Sequence, residues 1–140
     1  MKSYRTKKIA TVEYNYVNVR VYKDLKSMRL AYKKICPTNE YVNDVIGVHC
    51  GYMRIDYASG EKHGSLMNET GTVYLNINDC DSWIVAHEFL HALLWSHKFD
   101  YRKIQHPISI DSMDQEEDIC YGLTEMLQVF YKWLPNIKFK

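Results

Sequence analysis

Trp83-Ile84-Val85-Ala86-His87-Glu88-Phe89-Leu90-His91-Ala92-Leu93-Leu94-Trp95 reads as a helix with H-E-x-x-H at its centre. On a period of about 3.6 residues, His87 and His91 stand one turn apart on one face. Two imidazoles so placed can share a tetrahedral zinc ion, and Glu88 then points beside the open coordination position. There it can act as general base towards a water activated by the metal. The same residues would also suit a core helix with two incidental histidines. Against that, Gly71 to Ile77 forms a strand-like run leading into the helix, and Asp81 or Ser82 can cap its first turn. Ala86, Leu90 and Leu93, with Trp83 nearby, make an apolar stripe about a quarter-turn from the histidines, expected to dock on the core.

Downstream, Ser96 to Met113 is a long connection containing Pro107. Asp114 then opens a helix that runs to about Trp133 and is closed by Pro135. Its expected core stripe is Ile119, Leu123, Leu127 and Phe130. Upstream, Ile9 to Tyr22 has the period-2 pattern of a half-buried strand. Its parity changes near Asn15, which implies a bulge, a bend or two short strands. Asp24 offers an N-cap to a helix through Leu25, Met28, Ala31, Tyr32 and Ile35, ended by Pro37. Lys26, Arg29, Lys33 and Lys34 form its solvated face. Val45 to Tyr57 returns to strand character, with Gly47 and Gly51 marking bulges or close backbone approach. His49 in this run reads as a packed or surface strand residue and His63 as a loop residue. In Thr72 to Ile77, Val73, Leu75 and Ile77 share one face. If this strand borders the cleft, its backbone could pair with an extended peptide.

A catalytic zinc keeps three protein ligands and one water. His97 lies six residues after His91, the spacing of the metzincin motif, but Leu94 stands where that motif has its turning glycine. On an unbroken helix, His97 falls about 100° from the His87/His91 face. Met113 is weak support for a Met-turn. The other candidates are the adjacent carboxylates Glu116 and Glu117, of which one can face a metal squarely. Glu117 would alternatively serve as the N3 residue of a capping box with Asp114.

From Gly71 onward the chain resembles the small ImmA/IrrE-type metallopeptidase domains and related short phage-encoded proteins. The resemblance rests on Gly71-Thr72-Val73-Tyr74-Leu75-Asn76, on Val85 to Trp95, and on Glu117 followed by Cys120 in a small-residue position and Leu123 in an apolar one. It covers about half the chain. It implies a zincin-like fold, zinc held by His87, His91 and Glu117, Glu88 as general base, and peptide-bond hydrolysis. Tyr121, one turn beyond Glu117, is a candidate to hydrogen-bond an oxyanion. Tyr101 and His106 are weaker candidates from the connecting loop.

The chain has 140 residues, enough for one domain over 1–140 with a real core. A formal charge of +1 gives no electrostatic case for nucleic acid or an anionic membrane. No apolar run approaches the roughly 18–20 residues of a membrane span, and the basic N-terminus lacks an apolar signal core. Cys36, Cys50, Cys80 and Cys120 are scattered without a C-x-x-C pair and read as reduced thiols in a cytoplasmic protein. The expected fold is α+β, with a small, mostly antiparallel sheet, an N-terminal helix, the H-E-x-x-H helix and a C-terminal helix bearing a ligand. The expected function is zinc-dependent hydrolysis of a protein or peptide. The alternative is a catalytically silent zincin-fold binding protein, for example a phage-derived inhibitor of a host protein.

Overall fold

A computed structural model describes residues 2–11, 15–38, 41–51, 69–98 and 113–139. His63, Tyr101, His106 and the second half of the expected Val45 to Tyr57 strand, residues 52–57, lie outside these residues. The elements in order are strands β1 (Tyr4–Ala10) and β2 (Tyr16–Tyr22), helix α1 (Leu25–Ile35), strands β3 (Val48–Gly51) and β4 (Glu69–Asn76), and helices α2 (Ser82–Lys98) and α3 (Met113–Trp133). A single 3-10 turn, Ile77–Asp79, links β4 to α2.

The parity change near Asn15 marks two strands. β1 and β2 pair antiparallel from Tyr4↔Tyr22 to Ala10↔Tyr16, and the Thr11 N–H donates to the Asn15 carbonyl. The first strand therefore begins at Tyr4, well before Ile9. Its basic residues Arg5, Lys7 and Lys8, none of them buried, suit the outer edge of a sheet, where charge discourages pairing with another chain. The sheet order is β1-β2-β4-β3. It is mixed: β3 and β4 are antiparallel, but β2 and β4 run parallel. A parallel pair needs a crossover, and here the chain passes through α1 and β3 between the two strands. The expectation of a mostly antiparallel sheet thus misses its central pairing, which joins strands far apart in sequence.

Helices cover both faces. On one, α1 packs over Tyr22, Met28 and Tyr74. Its start is fixed by Asp24, whose carboxylate accepts the Ser27 N–H at 2.7 Å. On the other face, α2 and α3 enclose Val17, Val19, Val21, Val73, Leu75, Val85, Phe89 and Phe130. β4 is therefore buried along almost its whole length, as expected of a strand covered on both sides. It is interior, and among the described strands β3 is the outermost beside α2. Among the described residues, no helix is long and apolar enough to cross a membrane.

Candidate metal centre

The α2 helix opens with the Asp81 carbonyl accepting the N–H groups of Ile84 and Val85. Its buried face is Ile84, Val85, Phe89, Ala92 and Leu93. Trp83 is 68% exposed and Leu90 37%, so the stripe expected from Trp83, Ala86, Leu90 and Leu93 is rotated from the true one. The helix is apolar almost all round, and its pattern does not say which flank meets the sheet. Val85, Phe89 and Ala92 lie roughly opposite His87 and His91 on the helical wheel. Docking on them turns both imidazoles outward.

His87 and His91 are exposed, with their Nε2 atoms 3.3 Å apart. Two nitrogens held about 2.0–2.1 Å from one tetrahedral zinc stand about 3.3–3.4 Å apart, so the spacing fits a shared ion. The same distance also permits an imidazole–imidazole hydrogen bond. Glu88 is the third member of the group: the candidate ligand atoms of His87, Glu88 and His91 all lie within 4.8 Å of one another. Glu88 Oε2 is 4.0 Å from His87 Nε2.

Glu88 is buried, at 9% exposure, because β3 runs alongside α2. Gly47 lies over Ile84 and Glu88, and Gly51 against the Trp95 indole. Between them, the His49 ring is nearly parallel to that of His91 at 6.5 Å and edge-on to that of Trp95 at 6.3 Å. Alternate residues of a strand thus match successive turns of a helix. The close approach foreseen at Gly47 and Gly51 is this contact: a Cβ on Gly51 would sit 2.2 Å from Trp95. The His49 backbone N–H donates to the Glu88 carboxylate. Burial pushes the Glu88 carboxyl above its ordinary value, against the opposing pull of His87, His91 and that N–H. The His49 Nε2 is buried and has no hydrogen-bond partner among the described residues. Beside Glu88 and His87 opens a cavity of about 250 Å³, lined also by Asp44, Ile46, Trp83 and Ile84.

The third-ligand candidates stand apart from this group. His97 is buried, at 5% exposure, on a helix unbroken to Lys98, which keeps it off the His87/His91 face. Glu116 and Glu117 are exposed on α3. Phe130 meets Phe89 at 5.4 Å and Gly122 lies against Leu93, so α3 runs antiparallel to α2. That pairing sets His91 level with the middle of α3. Glu117 is then level with the end of α2, about 10 Å or more further along at 1.5 Å per residue. Tyr121 is 67% exposed on the same helix.

The sequence understated His49. As a lone strand histidine it carried no site signal, although the glycines two residues to either side mark where β3 and α2 touch. Comparison with known proteins identifies no relative: no family model matches the chain, and neither a curated protein nor a solved structure does.

Proposed function

We propose that the protein is a zinc-dependent peptidase. The observation that carries this reading is the exposed pair of Nε2 atoms at 3.3 Å, with a buried carboxylate held beside it. A zinc ion bound there would supply Lewis acidity, polarising a scissile carbonyl and lowering the pKa of water. His87 and His91 would hold the metal. Glu88 accepts a proton from the attacking water and passes it to the leaving amine, and its raised affinity for protons suits a shuttle. The His49 N–H fixes the carboxylate's orientation, leaving an oxygen for that exchange. β3, outermost of the described strands on this side, offers its backbone to an extended peptide. Ile46 and Trp83 provide an apolar wall for a neighbouring side chain. Glu117, the third ligand that the resemblance implies, would complete a His₂Glu set only with α3 closer to the histidines.

The distance of the described third donors favours one competing reading, a zincin-like binding protein that does not turn over. A peptide library incubated with wild type and with Glu88→Gln separates the two. Zinc-dependent cleavage by wild type alone supports the peptidase. A stable complex without cleavage supports the binder.

A further inference from the structure

We propose that Cys36 and Cys50 form a reversible disulfide that clamps β3 to the end of α1. Cys36 caps the C-terminus of α1, its N–H bonded to the Tyr32 carbonyl. Cys50 lies on the face of β3 opposite His49 and packs, with Val48, against the cluster beneath α1. Arg29 of α1 also donates its Nε to the carbonyl of Val45, three residues before β3, at 2.9 Å. The Cys36 and Cys50 side chains meet, each thiol within hydrogen-bonding reach of the other. Both are free and half-buried.

A peroxide is a sufficient oxidant. The half-exposed Cys36 thiol is oxidised to a sulfenic acid as the O–O bond breaks and one water leaves. Cys50 sulfur then displaces the sulfenic oxygen, forming S–S and releasing a second water. The two sulfurs lose two electrons, and both thiol protons end in water. Burial pushes the Cys50 thiol up to about 11, which leaves Cys36 as the thiol that meets the oxidant first. The remaining cysteines are internal controls: the Cys80 thiol is bound to the Asn76 carbonyl, and Cys120 is exposed on α3. The bond would fix the strand that orients Glu88, but the inference rests on the thiol pair and not on the proposed hydrolysis.

The test treats the full chain with hydrogen peroxide and maps its peptides without reduction. The expected result is a Cys36–Cys50 peptide with the loss of two hydrogens, reversed by dithiothreitol. It should persist in a Cys80→Ser, Cys120→Ser double variant. The melting temperature should rise by about 5–10 °C on oxidation, since closing a loop of this size restrains the unfolded chain. Oxygen addition without a linked peptide overturns the proposal in wild type itself. So does linkage through Cys80 or Cys120.

Discussion

Glu88 and the buried thiols make predictions that belong to single residues. Glu88→Gln keeps the side chain's shape and its acceptance of the His49 N–H but removes the proton acceptor. The variant should bind zinc like the wild type and lose hydrolysis by at least about 100-fold. Cleavage at the wild-type rate would remove Glu88 from the chemistry. Burial pushes Cys50 to about 11 and Cys80 to about 12, from an ordinary thiol value near 9. Between about pH 9 and 11 the unfolded chain therefore gives up protons that the folded chain keeps, and stability falls as pH rises. Burial also raises Tyr22 and Tyr131, which adds in the same direction. Urea midpoints should be lower at pH 10.5 than at pH 8, and the drop should shrink in Cys80→Ala. Equal drops in the two proteins would contradict the burial argument for Cys80.

The contact of β3 with α2 is the element that builds the site, and Gly51 is its closest point. Gly51→Ala forces the Trp95 indole away, because the new methyl would lie 2.2 Å from it. The predicted loss is about 1–3 kcal/mol of stability. Trp95→Leu should recover part of that loss in a double-mutant cycle, and strictly additive effects would show that the two residues do not touch. Gly71 is more confined: a Cβ there would meet the Cys50 carbonyl oxygen at 2.5 Å, and backbone cannot swing aside. This contact was half legible in the sequence. H-E-x-x-H located the helix, and the glycines at 47 and 51 announced a close approach, but nothing local said what they approached. The buried face of α2 was also misplaced by its pattern, since a helix apolar on nearly every side leaves the choice to its neighbours.

At the scale of the molecule, both sheet faces are covered and the site lies where α2 meets β3, the outermost described strand on that side. The helices, the Asp24 cap of α1 and most strand cores followed from local signals such as the valines of β2. The parallel pairing of β2 with β4 did not, because it depends on contacts distant in sequence. Phe130 joins α3 to this frame: it is fully buried and meets Phe89 edge to face. Phe130→Ala should cost about 3–5 kcal/mol, read as a lower urea midpoint. A loss below about 1 kcal/mol would mean that α3 does not pack as described. The level of α3 along α2 also decides the distance of Glu117, and so the ligand set. The most direct test of the metal centre is elemental analysis of wild type, His87→Ala, His91→Ala and Glu88→Gln after dialysis against zinc. The prediction is about one zinc per chain in wild type and Glu88→Gln, and none in either histidine variant. Wild type without zinc, or histidine variants that keep it, would contradict the account.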